Sequence, residues 1–192
     1  MLWGAQLGGL ELRREGGETR LRATFPYGRE TVLSDGGGGG QARKEVISPR
    51  AFARRIAAGE DIHLLAAHDY DRPLASRQAG TLTLTDTDAA LVVEARIDGR
   101  MAAVTYVADF LAGLEAGLVR GLSPGFRVPP GGETVEARGG AILRTVRAAD
   151  LYELSAVTVP AYPQAQIEAR NWTAAQEAPN AGLQRAFARW RA

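Results

Sequence analysis

Cysteine is absent from this chain of 192 residues. Its absence excludes disulfide bonds, zinc sites built on thiolates and catalysis by a cysteine nucleophile. Histidine is scarce as well, since His63 and His68 are the only two. They match no zinc-binding pattern, and the run of five glycines lacks the lysine of a phosphate-binding loop. We therefore expect no metal and no other cofactor.

Lysine and long apolar stretches are also scarce. Lys44 is the only lysine, and the formal net charge is +1. A charge so near zero, with scattered arginines, disfavours a nucleic-acid binder. No run of about 18 apolar residues is present, so no membrane span is predicted. The hydrophobic content of 45% is enough for a buried core, and we expect a soluble protein of one domain plus tails.

The sequence is rich in short stretches where apolar and polar residues alternate. This period of two is typical of half-buried strands. No regular alternation of strands with helices is present, which argues against a doubly wound fold. The sequence predicts an α+β fold whose core is a mostly antiparallel, barrel-like sheet flanked by helices. The predicted strands lie within residues 19–33, 61–68, 81–85, 91–97, 118–128, 141–146 and 151–159.

Two helices are predicted between these strands. The first follows Ser48, a good N-cap, with Pro49 at its first position and Gly59 at its C-terminal end. The second covers residues 100–116, where apolar residues recur at helical spacing. Its apolar stripe consists of Val104, Val107, Leu111 and Leu114.

A glycine run and a polar tail interrupt this pattern. Five consecutive glycines follow Asp35, and because such a run is entropically costly to order, residues 35–41 are predicted to form a flexible loop. About 35 residues precede it, too few for an independent core. We expect one domain over residues 1–168. Residues 169–192 are expected to form a flexible or helical tail, with an amphipathic helix near 183–190.

The segment Gly121–Gly125 matches the G-x-S-x-G turn that exposes the nucleophilic serine of α/β-hydrolases. Those enzymes place the histidine after the serine, whereas both histidines here precede Ser123. Their oxyanion hole also uses the N–H of the residue after the serine, and Pro124 has none. If Ser123 is a nucleophile, its base therefore lies upstream and the fold is a different one.

Two interpretations of Ser123 remain open at this point. Serine beside glycine and proline is common in turns. As a nucleophile, it would have the backbone N–H groups of Gly125 and Phe126 as the next available oxyanion donors.

His68 lies at the predicted end of a strand, next to the polar segment that starts at Asp69. A histidine in such a place is suited to accept a proton at neutral pH, although one that is simply hydrogen-bonded in a loop gives the same pattern. Strand alternation directs His63 to the opposite face, so we expect His63 to be structural or exposed.

Glu153 lies within the apolar strand that ends near Val159. A carboxylate is rarely buried without a cationic or histidine partner. It could orient His68, or it could form a buried ion pair, for which the candidates are Arg120, Arg127 and Arg144. Ser155 shares a face with Glu153 and is the alternative nucleophile.

Four segments together resemble the prohead maturation proteases of tailed phages, which are related in fold to the herpesvirus assemblins. Their order and spacing match that family over about residues 20–168. The segments are Glu45–Phe52, Leu64–Asp69, Gly121–Phe126 and Asp150–Pro163.

The resemblance implies a serine endopeptidase on a β-barrel surrounded by helices, as in the herpesvirus proteases. It assigns Ser123 as the nucleophile, His68 as the general base and Glu153 as the acid that orients the base. The implied substrates are the scaffolding protein or the scaffold-like N-terminal segment of the major capsid protein, cut inside the assembling prohead in the host cytoplasm. Self-cleavage in the tail is consistent with its polar composition.

Other functions and states stay open. A capsid assembly or scaffolding protein that keeps this fold without cutting is the main alternative, and the intact serine, histidine and glutamate argue against it. The sequence leaves open whether the chain forms a homo-oligomer and whether it contacts the portal inside the prohead. Neither nucleic acid nor a membrane is expected as a partner.

Overall fold

Strands make up most of the part of the chain that the computed structural model describes, residues 10–15, 17–37 and 40–159. All of these residues fall within one compact unit. In chain order the elements are β1 (Leu10–Glu15), β2 (Glu18–Pro26), β3 (Thr31–Ser34), β4 (Ala42–Ile47), α1 (Ala53–Ala57), β5 (His63–Ala66), β6 (Asp69–Ser76), β7 (Leu82–Asp86), β8 (Ala90–Ile97), α2 (Gly99–Ala102), α3 (Thr105–Glu115), β9 (Gly121–Arg127), β10 (Glu133–Arg138), β11 (Ala141–Val146) and β12 (Asp150–Val157).

The strands form three four-stranded sheets. Their orders are β1-β2-β8-β7 in sheet A, β10-β11-β4-β3 in sheet B and β6-β5-β12-β9 in sheet C. The pairs β4–β11 and β5–β12 are parallel, and the other neighbouring pairs are antiparallel. The predicted α+β, mostly antiparallel fold is therefore confirmed. The described strands do not close into a barrel, so the likeness to the herpesvirus proteases stays a prediction.

Sheet A shows why alternating residues form strands here. Strands β2 and β8 pair antiparallel, with Leu21 opposite Ala95 and Phe25 opposite Leu91. Alternate side chains of both strands are buried, while those between them are partly or fully exposed. This pattern of period two confirms the strands predicted within residues 19–33 and 91–97.

An aromatic cluster lies at the centre of the core. Phe52 is completely buried, and its ring centroid lies 5.9 Å from that of Phe25, 6.1 Å from that of Tyr27 and 5.5 Å from that of Phe126. Phe25 belongs to sheet A and Phe126 to sheet C. The Phe52 ring therefore joins the two sheets through tilted and edge-on ring contacts.

Sheet B contains a buried cation. Arg144 on β11 is 3% exposed, with Nη1 2.9 Å from Glu45 Oε2 and Nε 2.6 Å from Glu133 Oε2. Glu45 is its register partner across the parallel β4–β11 pair. A buried guanidinium needs such partners to offset its lost hydration. The predicted alternative in which Arg144 neutralises Glu153 is not observed.

The first predicted helix is shorter than expected at its N-terminal end. It begins at Ala53 rather than at Pro49, and Phe52 occupies the N-cap position. The Ser48 N–H donates instead to the Val146 carbonyl and so continues the sheet. Arg50 then adopts a positive φ of 57°, which is incompatible with a right-handed helix. These turns let the chain bury Phe52.

The C-terminal end of this helix agrees with the prediction. Gly59 has a φ of +71°, its N–H donates to the Ile56 carbonyl, and the Glu60 N–H donates to the Arg55 carbonyl. These two bonds form a Schellman motif, which favours glycine at the left-handed position.

The second predicted helix is divided in two. Residue Val104 has an extended conformation, with φ −69° and ψ 131°, and separates α2 from α3. The Asp98 side chain caps α2 by accepting a hydrogen bond from the Met101 N–H. Val107 and Leu111 are buried as predicted, but Val104 is 39% exposed and does not belong to the apolar stripe.

Strands β1, β4, β6 and β10 were not predicted. β10 is an edge strand whose side chains are almost all exposed, so it has no apolar alternation to detect. β6 replaces the polar loop expected after His68, and it includes Pro73 at an irregularity in the β5–β6 register. Edge strands tolerate proline and polar residues because one side of their backbone is unpaired.

The glycine-rich segment 35–41 lies between β3 and β4, and its predicted flexibility stays a prediction; Gly38 and Gly39 lie outside the described residues. The tail 169–192 and its predicted helix also lie outside them. No helix in the described part of the chain has the length and apolar character needed to span a membrane.

Truncation of the central aromatic ring tests this account of the core. We expect Phe52→Ala to lower the free energy of unfolding by about 3–5 kcal/mol, because the cavity removes ring contacts to both sheets. Leu118→Ala is the matched control, since Leu118 is 61% exposed and its truncation should change stability by less than about 0.5 kcal/mol. Urea denaturation measures both, and equal losses would contradict the central position of Phe52.

Candidate active site

Sheet C brings together the strands that carry the predicted glutamate and serine. β12 lies between β5, to which it is parallel, and β9, to which it is antiparallel. Across the antiparallel pair, Ser155 is opposite Ser123 and Glu153 is opposite Gly125. Residues directly opposite each other project from the same face of a sheet, so these four positions share one face.

His68 reaches this site from a tight turn. β5 ends at Ala66 and β6 begins at Asp69, so the hairpin loop consists of Ala67 and His68. Both have positive φ, 54° and 62°, as a type I′ turn requires. The strand predicted over residues 61–68 is therefore wrong for its first two and its last two residues. Strained non-glycine residues of this kind cluster at functional sites.

The carboxylate of Glu153 contacts the ring of His68. Glu153 is 4% exposed, and its Oε1 lies 2.8 Å from His68 Nδ1. A carboxylate can only accept, so Nδ1 carries the proton and Nε2 is left as the basic nitrogen in the neutral ring. Of the two interpretations of Glu153 from sequence, the structure shows the histidine contact.

The hydroxyl of Ser155 is hydrogen-bonded on two sides. Its Oγ donates to Glu153 Oε2 at 2.5 Å and accepts from the His68 N–H at 2.9 Å. Ser155 is also completely buried. A hydroxyl engaged in this way is not poised as a nucleophile, which weakens the alternative role that the sequence left open for Ser155.

Two buried atoms of the site have no hydrogen-bond partner among the described residues. They are Ser123 Oγ and His68 Nε2, and Ser123 is 1% exposed. Buried polar atoms are nearly always hydrogen-bonded, so each exception calls for an explanation. The two atoms belong to the residues predicted as nucleophile and base, and they do not hydrogen-bond to each other in this structure.

Gly125 leaves the space that the Glu153 carboxylate occupies. A Cβ at this position would lie 2.0 Å from Glu153 Oε1 and 2.7 Å from its Cδ. No side chain fits at that distance, so the close approach requires glycine. Gly125, the last residue of the Gly121–Gly125 segment, thus leaves the space that the Glu153 carboxylate needs.

Tyr70 lies beside the site, and its pKa responds to the charge of Glu153. Burial, and after it the negative charge of Glu153, raise the pKa of Tyr70 to about 12, while Arg55 opposes the shift. The ring of Tyr70 also lies edge-on to His63, with centroids 6.3 Å apart. His63 Nε2 is 3.4 Å from Asp61 Oδ2, so the second histidine has its own acidic neighbour apart from Glu153.

The part of the chain that the structure describes contains no group of three or more histidine, aspartate or glutamate side chains arranged to hold a metal ion.

Neither the contacts of Ser155 with Glu153 and His68 nor the strained turn at Ala67 were predicted from the sequence. The spacing of two residues between Glu153 and Ser155 signalled a shared face. The contact to the His68 backbone carries no sequence signal, because it joins residues 87 positions apart.

Serine hydrolases use a serine, a histidine and a carboxylate together, and sheet C with its β5–β6 turn contains one residue of each type in Ser123, His68 and Glu153. A family model described as caudovirus prohead serine protease matches residues 30–178 of the chain. The match covers well over half of the sequence, and the chain therefore belongs to this family. No curated protein and no solved structure matches the chain.

Membership of the family defines the general activity. The chain is a serine peptidase with a role in the maturation of phage proheads, acting on prohead proteins within the assembling particle. The matched segment includes β3 to β12. It therefore contains β5, β9 and β12, the strands around the site.

Replacement of Gly125 tests whether the Glu153 carboxylate needs the space beside this glycine. We expect Gly125→Ala to displace Glu153 Oε1 by about 1 Å or more and to lower peptidase activity roughly 100-fold, because such misplacement disrupts catalytic geometry. The downfield proton resonance of the His68–Glu153 hydrogen bond should disappear from the NMR spectrum.

Gly113→Ala is the matched control for Gly125→Ala. Its new Cβ would lie 3.7 Å from Val119 Cγ2, an ordinary contact, within α3. Full activity in both variants would show that Glu153 has room to move.

The pKa of Tyr70 reports the charge of Glu153. We expect Glu153→Gln to lower this pKa below about 12 but to leave it above the ordinary value of 10.0, because the carboxylate no longer repels the phenolate while burial, the larger cause of the shift, remains. Absorbance titration of the phenolate measures it, and Tyr70→Phe identifies the transition. In the wild type, the stabilisation from the protonated phenol is complete below pH 10.0 and is lost as the pH rises toward 12. An unchanged transition in Glu153→Gln would contradict the proximity of this charge.

Proposed function

We propose that the chain is an endopeptidase that uses Ser123 as its nucleophile, His68 as its general base and Glu153 as the acid that orients the base. The observation that carries the proposal is the 2.8 Å contact between His68 Nδ1 and Glu153 Oε1, with the unpartnered Ser123 Oγ on the same sheet face as Glu153. Each residue type suits its role, and family membership supports the serine chemistry.

The proposed mechanism is acyl transfer. His68 Nε2 takes the proton from Ser123 Oγ as the oxygen attacks a peptide carbonyl, and it then donates that proton to the leaving amine. Glu153 stabilises the imidazolium through the Nδ1–H bond and fixes the tautomer. Water activated by the same histidine hydrolyses the acyl-enzyme and releases Ser123.

The proposed mechanism requires a hydrogen bond between Ser123 Oγ and His68 Nε2 when substrate is bound. Catalytic hydrogen bonds are often long or misaligned in free enzymes and tighten in the substrate complex. In this proposal, rotation of the Ser123 hydroxyl toward Nε2 accompanies substrate binding and pairs the two buried atoms that now lack partners.

Gly125 and Phe126 remain the proposed oxyanion donors. β9 pairs only with β12 among the described strands, and successive residues of a strand direct their N–H groups to opposite sides. A proline within a strand favours a position whose N–H would point to the open edge. Phe126 is two residues from Pro124, so its N–H also points to the open edge of β9. Phe126 is therefore the better candidate of the two.

The proposed substrates are the scaffolding protein or the scaffold-like N-terminal segment of the major capsid protein, cleaved inside the prohead, with self-cleavage in the tail. The family description supports a prohead substrate in general. The proposed domain covers residues 1–168 and keeps a herpesvirus-protease-like core. The family match extends to residue 178, ten residues beyond the proposed domain boundary.

Replacement of the serine tests the proposal. Co-expression with the capsid and scaffolding proteins of the same phage should yield shortened products with the wild type and none with Ser123→Ala, a loss of at least about 1000-fold. Intact-mass measurement of the assembled particles detects the cleavage.

Ser76→Ala is the control for this experiment, because Ser76 lies on β6 of the same sheet and its Oγ accepts from the Ala79 N–H. It should cleave normally. Identical product masses with wild type and Ser123→Ala, in particles that assemble, would instead favour an assembly protein that keeps the fold without cutting.

A further inference from the structure

The turn that carries His68 is hydrogen-bonded to β12 through two consecutive turn residues, Ala67 and His68. The Ala67 N–H donates to the Ala156 carbonyl at 3.1 Å. The His68 N–H donates to Ser155 Oγ at 2.9 Å. In the second contact a side-chain hydroxyl takes the place of a backbone acceptor. The backbone of His68 is thus tied to β12 through a hydroxyl group.

The turn needs such support because its backbone is strained. Type I′ turns favour asparagine and glycine, whereas here alanine and histidine adopt φ values of 54° and 62°. Left-handed conformations are unfavourable for residues with a Cβ and persist only where the surroundings hold them. Without its contacts to β12, the turn would relax and the imidazole would move.

The same hydroxyl also fixes the carboxylate. Ser155 Oγ donates to Glu153 Oε2 at 2.5 Å, while Glu153 Oε1 contacts His68 Nδ1 at 2.8 Å. The carboxylate is therefore held at both oxygens, and its plane cannot rotate without breaking one of the bonds. Ser155 is completely buried, so water does not compete for these contacts.

We infer that Ser155 is a positioning residue for the reaction, one that holds the His68 backbone and the Glu153 carboxylate in the geometry that directs His68 Nε2 toward Ser123. The inference rests on the proposed function of those three residues. Ser155 itself does not touch the reacting atoms. It acts through a closed set of hydrogen bonds that runs from its hydroxyl to the carboxylate, to the imidazole and back through the His68 N–H.

Reaction with a fluorophosphonate tests the inference independently of the natural substrate. Ser123 Oγ bonds to phosphorus, fluoride leaves, and the serine proton passes to His68, so the rate of modification depends on the base. We expect Ser155→Ala to lower the maximal rate of modification, kinact, about 10–100-fold, with KI unchanged. Intact mass over time gives both constants for the full chain.

Two further variants separate positioning from stability. Ser76→Ala removes a hydroxyl of sheet C that also accepts from a backbone N–H, that of Ala79, but does not hydrogen-bond to Glu153 or His68, so kinact should stay within about twofold of the wild type. Ser155→Thr keeps the hydroxyl and should retain kinact within about threefold, provided that thermal unfolding shows a folded protein.

The variant Ala67→Gly tests the backbone contact. Glycine adopts positive φ without the steric cost of a Cβ, so Ala67→Gly should raise kinact at least threefold in the Ser155→Ala background while leaving the wild-type rate unchanged. Ala67 is exposed, so the substitution removes no core packing.

The outcomes distinguish this inference from the proposed function. A wild-type kinact in Ser155→Ala, with Ser123→Ala unreactive, would overturn the positioning role and leave the proposed function intact. Failure of Ala67→Gly to raise the rate would overturn the role of Ser155 at the turn. Equal modification of wild type and Ser123→Ala would contradict the proposed function, and this inference would fall with it.

Discussion

The buried carboxylate of Glu153 is the constraint on which the site depends. A charge inside an apolar strand is tolerated only with hydrogen-bond partners, and here each oxygen has one. To provide them, the β5–β6 turn must bring His68 over β12, and Ser155 must lie two residues along the same strand. Gly125 on β9 must lack a side chain so that the carboxylate fits. One buried group thus connects three strands of sheet C.

The site combines a firmly held histidine–carboxylate pair with two buried polar atoms that lack hydrogen-bond partners among the described residues. The histidine–carboxylate pair rests on a central strand and on a turn tied to it, so its geometry is held before any substrate binds. Ser123 Oγ and His68 Nε2 are buried and lack partners in the described part of the chain. In the proposed mechanism, the histidine–carboxylate pair keeps the base oriented, and Ser123 Oγ is the atom that His68 Nε2 deprotonates.

Much of the fold could be predicted, and the errors have physical causes. The strand at residues 141–146 was predicted with the bounds observed. The helix expected from Pro49 begins at Ala53, since the cap-like Ser48 stays in the sheet and Arg50 adopts a positive φ. β10 has almost no buried side chain and therefore left no pattern to detect.

The sequence by itself determined the strand-rich α+β fold, the order of histidine, serine and glutamate, and the resemblance to prohead proteases that the family match bears out. These properties follow from local periodicity and from short motifs. Only the tertiary structure decided that Glu153 contacts His68 rather than an arginine, and that Ser155 supports both. The contacts of His68 with Glu153 and with Ser155 join residues that are 85 and 87 positions apart. They depend on strand register and on a strained turn, which local residue patterns do not encode.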